Sequence, residues 1–255
     1  MTLLKVNNLS KVFGGLKAVS NFNIDIDNGE LIGLIGPNGA GKTTAFNLLT
    51  GVYEPTEGQI DFDGQSVVGL KPYQITQRGI ARTFQNIRLF SDLSVLDNVK
   101  IAYHFHVKYG LLESVLRVGR YHSEEEEIEA KAIKFLEIFQ LADKKDEIAR
   151  NLPYGEQRRL EIARALAAQP KLLLLDEPAA GMNPQETQNL MQMIRWIKKE
   201  FKLTILLIEH DMSLVMNVCE RIYVLDYGTI IAQGTPQEIK NNPRVIEAYL
   251  GEEVH

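Results

Sequence analysis

Three observations in this sequence predict an α/β fold with an antiparallel β subdomain and an inserted α-helical subdomain. Two short runs, Glu30–Ile35 and Leu172–Leu175, are apolar enough for strands covered on both sheet faces. Residues 3–9 and 22–27 instead alternate apolar and polar, the pattern of two antiparallel strands with one face in solvent. From Asn86 the alternation of strand and helix stops, and about 70 residues read as helices alone.

Taken in order, the first two strands are joined by Lys11-Val12-Phe13-Gly14-Gly15, expected as a turn carrying one exposed aromatic. The strand Glu30–Ile35 runs into Gly36-Pro37-Asn38-Gly39-Ala40-Gly41-Lys42-Thr43, which fits G-x-x-x-x-G-K-[ST]. Thr44 to Thr50 follows with helical spacing, and Gly51 is expected to close it. Strand, glycine loop and helix together make a phosphate cradle. The glycines let backbone N–H groups converge on phosphate oxygens, and the helix start adds partial positive charge. Lys42 is placed to reach β- and γ-phosphates, and Thr43 to hold Mg²⁺.

Glu54–Gly58 reads as a turn into the strand Gln59–Gly64, closed by Asp63-Gly64. A strand from Gly79 to Gln85 ends the first α/β stretch. In the helical region Ser123-Glu124-Glu125-Glu126 has capping-box spacing, and Ile128, Ala132, Phe135, Leu136 and Phe139 share a helix face. The acids Glu124–Glu127 suit a first helical turn. His104, His106 and His122 have neither a thiol nearby nor tight i, i+4 spacing, so no metal site is expected there.

The alternation resumes near Arg159: strand Leu172–Leu175, helix Gln185–Glu200, strand Leu203–Ile208 and helix Ser213–Cys219. A hairpin, Ile222–Leu225 and Thr229–Gln233 around Tyr227-Gly228, and a helical tail broken at Asn242-Pro243 complete the chain. The expected organisation is one domain over 1–255. Its α/β core and antiparallel subdomain take 1–85 and 159–240, its helical subdomain 86–158, and its tail 241–255.

Composition narrows the function. A chain of 255 residues with 24% charged residues and net charge −5 gives no footing for nucleic acid as the main partner. The single cysteine, Cys219, rules out an internal disulfide and fits a small buried hydrophobe. Met1–Leu9 lacks the apolar core of a secretory signal, and no run reaches the length of a membrane span. Any membrane role is therefore expected through partners.

The second strand selects the chemistry. Leu172-Leu173-Leu174-Leu175-Asp176-Glu177 ends in two carboxylates at the carboxyl edge of a sheet, where α/β folds bind ligands. Asp176 suits Mg²⁺, and Glu177 suits polarising a water for in-line attack on a γ-phosphate. The guanine-reading pattern N-K-x-D is absent, and an acid beside the metal carboxylate favours hydrolysis over transfer to a second small molecule.

With these residues in place the chain resembles the ATP-binding subunits of ABC transporters, nearly end to end. The resemblance implies a P-loop NTPase (RecA-like) core that binds ATP and Mg²⁺, with Gly36 to Thr43 and Thr44 around the phosphates. Gln85, closing Arg82-Thr83-Phe84-Gln85, is similar to the family's Q-loop glutamine, which senses Mg²⁺ and the transmembrane partner. His210, in Ile208-Glu209-His210-Asp211, is similar to the switch histidine at the γ-phosphate, and Phe13 to the aromatic against adenine. The signature segment, usually L-S-G-G-Q, corresponds to Leu152-Pro153-Tyr154-Gly155-Glu156, so Leu152, Gly155 and Glu156 are expected at a partner's nucleotide. Pro153, Tyr154 and Glu156 depart from the usual serine, glycine and glutamine, and Asn183 stands where the D-loop usually has aspartate.

The resemblance further implies transmembrane permease subunits as partners, a second ATPase as heterodimer or homodimer mate, and a peripheral place on the cytoplasmic face of the inner membrane. Tyr154-Gly155-Glu156-Gln157, Arg82–Asn86, the stretch around 104–123, and the tail Gly234-Thr235-Pro236 and Ala248-Tyr249-Leu250-Gly251 are most similar to branched-chain amino acid importers, the larger of their two ATPase types. ATPases of urea or amide uptake and of lipopolysaccharide export share much of that tail. Soluble ABC ATPases usually join two cassettes or insert a long coiled coil, and this chain has one phosphate loop and no sustained heptads.

Overall fold

The computed structural model describes residues 1–104, 107, 113 and 119–250. The chain forms two compact units, one from Met1–Gln85 with Lys171–His255 and one from Asn86–Pro170. The break expected at 158/159 falls inside the helix Tyr154–Ala167, and the second unit ends at Pro170.

In the first unit the strands are β1 (Thr2–Phe13), β2 (Leu16–Asp27), β3 (Leu31–Ile35), β4 (Glu57–Phe62), β5 (Gln65–Ser66), β6 (Ile80–Arg82), β7 (Leu172–Asp176), β8 (Thr204–Ile208), β9 (Arg221–Asp226) and β10 (Thr229–Gly234). They make a four-stranded antiparallel sheet, β2-β1-β4-β5, and a six-stranded sheet, β10-β9-β3-β8-β7-β6. In the larger sheet only β10 runs antiparallel to its neighbour. Every residue of β3, β7 and β8 is buried, which is why these strands read as unbroken apolar runs. Strand β1 alternates because one face meets the core through Leu4, Val6 and Leu9 while Lys5 and Asn7 face outward. Phe22, Phe46 and Phe62 are fully or almost fully buried in this core. Burial of one such ring contributes about 1.5–3 kcal/mol.

Element ends differ from expectation, among them β2, which starts at Leu16, and β4, which starts at Glu57. Strand β1 continues through Lys11 and Val12 to Phe13, and the turn is only Gly14-Gly15, both with positive φ. Phe13 is thus the last residue of a strand, pinned opposite Leu16. Strand β6 stops at Arg82 instead of Gln85: it is an edge strand whose single neighbour, β7, pairs with Ile80 to Arg82. The helix expected from Thr44 begins at Lys42, with Gly51 following its C-cap at φ 68°. The helix Pro72–Arg78 has no counterpart among the expected elements, although Pro72 at its first turn and Gly79 in the left-handed region at its end are both helix signals.

The second unit packs the helices Val95–Tyr103, Tyr121–Ile138 and Tyr154–Ala167 against one another. Ile128, Ala132, Leu136 and Phe139 are buried as their spacing implies, and Phe135 lies between the rings of Tyr103 and Phe139. The capping box at Ser123 does not form. Its helix starts two residues earlier, and the Ser123 hydroxyl donates to the Arg120 carbonyl inside the first turn. Glu125 ion-pairs with Lys100 and sits 3.1 Å from His104 Nε2, so this part of the acidic run ties two helices together. His122 meets Tyr121 edge-on, while His106 lies outside the described residues, as do most of 105–118 and Gly251. Among the described residues no helix is long and apolar enough to cross a membrane.

Candidate active site

The carboxyl ends of β3, β7 and β8 bring the expected residues of the first unit to one edge. Between β3 and the helix Lys42–Leu49 the loop Gly36–Gly41 turns back over its own lysine. Lys42 is 7% exposed, and its ammonium donates to the carbonyls of Gly36 at 2.6 Å and Pro37 at 2.7 Å. A side chain at Gly36 would stand 1.9 Å from the Leu225 carbonyl oxygen, so only glycine lets the loop lie against β9. The Gly228 N–H donates to the Ala40 carbonyl, and the Ser20 N–H to that of Gly228, which ties the β9–β10 turn to the loop. The helix start behind Gly41 has no side-chain cap and no acid in its first turn. Its amide groups and Lys42 form the donor set that a phosphate chain requires. Asn38, Gly39 and Thr43 face solvent, and Thr44 is half-buried.

Strand β7 pairs with β8 so that Asp176 stands beside Ile208, and the next residues of each strand carry the chemistry. Glu177 has φ 45°, a left-handed turn fixed by its N–H on the Ile208 carbonyl at 2.9 Å. That turn aims the Glu177 carboxylate at two partners. Gln85 Nε2 donates to its Oε2 at 2.7 Å, and His210 Nδ1 lies 3.5 Å from the same oxygen. Gln85, Glu177 and His210, expected together from their motifs, therefore meet at one point. His210 is far more open than Glu177, their side chains being 61% and 16% exposed.

Asp176 has a partner that no local pattern in the sequence announces. Arg82 donates to its Oδ2 at 2.6 Å and to Asn47 Oδ1 at 2.7 Å, and its guanidinium lies over the rings of Phe46 and Phe84. Arg82 thus fastens the β7 carboxylate to the helix of the phosphate loop. The signal was its place in Arg82-Thr83-Phe84-Gln85, but nothing local names Asp176 as its target. Glu209 likewise carries no local signal. It is fully buried, accepts main-chain N–H groups, and burial pushes its carboxyl above the usual range against those hydrogen bonds.

Phe13 is 40% exposed at the end of β1, edge-on to Tyr53 at 5.2 Å with the Lys11 ammonium over its ring.

Leu152, Gly155 and Glu156 belong to the second unit. Leu152 is buried, Pro153 is the N-cap without a side-chain hydrogen bond, and the helix opens at Tyr154. Gln157 Nε2 closes the start on the Leu152 carbonyl. The Glu156 carboxylate is held by Lys144, whose two contacts are 2.8 and 2.7 Å. That hydrogen bond, ahead of the opposing effect of burial, raises the lysine above its usual range. Arg158 and Glu161 form a fully buried pair beneath this segment. Asn183 serves as a helix cap, accepting from Glu186 N–H while Glu186 accepts from Asn183 N–H.

A family model described as "ABC transporter" matches residues 19–180, and one described as "Branched-chain amino acid ATP-binding cassette transporter" matches 229–255. The high-affinity branched-chain amino acid transport ATP-binding protein LivG of Escherichia coli (strain K12) is 49% identical over 250 residues, covering 98% of each chain. BraF of Pseudomonas aeruginosa, described in the same words, is 44% identical over 98% of each chain. Among solved structures, the ADP conformation of MJ1267, an ATP-binding cassette of an ABC transporter, superposes with TM-score 0.85 at 33% identity, over 98% of this chain and 99% of that one. Likeness of this extent in both sequence and fold agrees with a phosphate loop facing a carboxylate, a glutamine and a histidine: the chain belongs to the ATP-binding, ATP-hydrolysing subunits of ABC transporters.

Proposed function

We propose that this chain hydrolyses ATP to power an importer of branched-chain amino acids, from the cytoplasmic face of the membrane and through transmembrane permease subunits. The carrying observation is the meeting of Gln85 and His210 on one oxygen of Glu177, 2.7 and 3.5 Å away. In this reading Lys42 and the N–H groups of the loop from Gly36 to Thr44, Pro37 excepted, hold the phosphates, and Phe13 lies against the adenine. Glu177 takes the proton of the attacking water, and His210 contacts the γ-phosphate as it leaves. Bound Mg²⁺ supplies neutralising charge at the phosphates. The hydroxyl of Thr43, the free Oδ1 of Asp176 and the Gln85 side-chain oxygen suit a hard cation that prefers oxygen.

Two copies of the nucleotide-binding fold share each ATP in this proposal, Lys42 of one facing Gly155 and its neighbours Leu152 and Glu156 of the other. Pro153 offers no hydroxyl there, and Lys144 already holds the Glu156 carboxylate, so the cross-contact rests on helix-start amides. This weak self-contact favours a second ATPase as the mate. The amino-acid cargo rests on the names of the relatives and on the match over 229–255.

The test is Glu177→Gln, which keeps shape but cannot accept the proton. ATP affinity stays at the wild-type level while hydrolysis falls at least about 10²-fold. Wild-type turnover in this variant removes Glu177 from its role. Loss of high-affinity uptake of labelled leucine on deleting the gene checks the cargo, and normal leucine uptake with impaired urea uptake or envelope assembly reassigns it.

A further inference from the structure

Glu209 is a fully buried carboxylate that the proposed chemistry does not use. It follows directly after β8, and its two oxygens face main-chain donors from two different segments. One oxygen, Oε1, accepts the Ala179 N–H at 2.7 Å. The other, Oε2, accepts the N–H of His210 at 3.2 Å and that of Asp211 at 3.4 Å. Ala179 sits within the turn opened by Glu177, where the Ala180 N–H donates to the Glu177 carbonyl and the Met182 N–H to the Ala179 carbonyl. One side chain therefore joins the turn that carries Glu177 to the backbone that carries His210.

We propose that Glu209 is a positioning residue: its carboxylate locks the Glu177–Met182 turn to the His210 backbone and so sets the distance between Glu177 and His210. The inference rests on the reading that those two residues serve ATP hydrolysis. The chemistry of the strut is specific. An ionised carboxylate is acceptor-only and can serve three donors at once. A glutamine would present its own NH₂ to one group of N–H donors, and an aspartate is one methylene too short to span both segments. The pairing of β7 with β8 and the Glu177 N–H on the Ile208 carbonyl tie the first residue of one turn to the end of β8; beyond that point Glu209 adds the tie between Ala179 and the His210–Asp211 backbone. A misplacement of about 1 Å in such a constellation costs about 10²-fold in rate.

The experiment compares full-length wild type with Glu209→Gln, Glu209→Asp, Glu177→Gln and the double variant Glu209→Gln/Glu177→Gln. Steady-state ATP turnover and amide hydrogen exchange are read on each. For Glu209→Gln, kcat is expected to fall about 10- to 100-fold while KM for ATP stays within about twofold, because the phosphate loop is untouched. Exchange in residues 177–183 accelerates, and exchange in 36–43 does not. Adding Glu209→Gln to Glu177→Gln costs less than about twofold more, since the group being positioned has gone. Glu209→Asp repeats the kcat loss with the charge retained, and stands in if the glutamine variant fails to fold. Unchanged kcat and exchange in both variants, or a loss that multiplies in full on Glu177→Gln, overturns the proposal. A Glu177→Gln protein with wild-type turnover overturns the catalytic reading instead, while the exchange data still report whether Glu209 anchors the turn.

Discussion

Arg82 Nη2 lies 2.6 Å from Asp176 Oδ2, and the two side chains are 7% and 5% exposed. An ion pair this dry gains little over a well-packed apolar pair, but removing one partner strands the other charge. Arg82→Met is expected to cost about 3–5 kcal/mol near neutral pH, read as a fall in the urea midpoint. Adding Asp176→Asn should recover part of that loss. If the single variant is as stable as wild type, the pair is not closed in solution.

In the proposed site, nucleotide affinity is expected to depend unequally on its two ends. Lys42→Ala removes a buried cation from the phosphate cradle, where a charge-assisted contact is worth about 1.5–3 kcal/mol. Phe13→Ala removes a partly exposed ring and should weaken ATP by about 0.5–1.5 kcal/mol. Calorimetric titration of both variants checks the ranking, and equal affinity of Lys42→Ala and wild type would sink the phosphate assignment.

The Cys219 thiol is pushed up to about 12, first by burial and then by the charges of Glu220 and Glu209. Its sulfur also packs against Gly33, where an added methyl would come within 3.1 Å. The native protein should therefore resist a thiol reagent at about pH 8, where an exposed cysteine reacts readily. The same protein in denaturant should titrate one thiol. Rapid labelling under native conditions would show that the β3 contact opens.

The helix Pro236–Lys240 supplies a pH test. Glu238 accepts from the Thr235 N–H and hydroxyl, and these bonds hold its carboxyl below the ordinary value of 4.5. A depressed acid contributes stability above its unfolded pKa and loses it as pH falls through the lower folded value. Glu238→Gln should thus lie below wild type in thermal stability at neutral pH, and the gap should close as pH falls through the depressed pKa of Glu238. A gap that stays constant with pH would assign the effect to packing instead.

Local chemistry determined much of this protein. The apolar runs of β3, β7 and β8, the Gly36–Thr43 loop between strand and helix, and the Tyr227-Gly228 hairpin were legible because each is settled by nearby residues. The meeting of Gln85, Glu177 and His210 followed from motif resemblance but not from any local pattern. Element ends are less legible: edge pairing, not propensity, stops β6, and the helix expected to start behind Ser123 begins at Tyr121, with the Ser123 hydroxyl bonded back to the Arg120 carbonyl. Arg82 on Asp176 and Gln85 on Glu177 join residues 94 and 92 positions apart. Glu209 in turn holds Ala179 from 30 positions away. Such contacts carry no periodic signal. They exist because the order β8-β7-β6 brings distant strand ends to one edge, where buried charges take the nearest partner that desolvation leaves them.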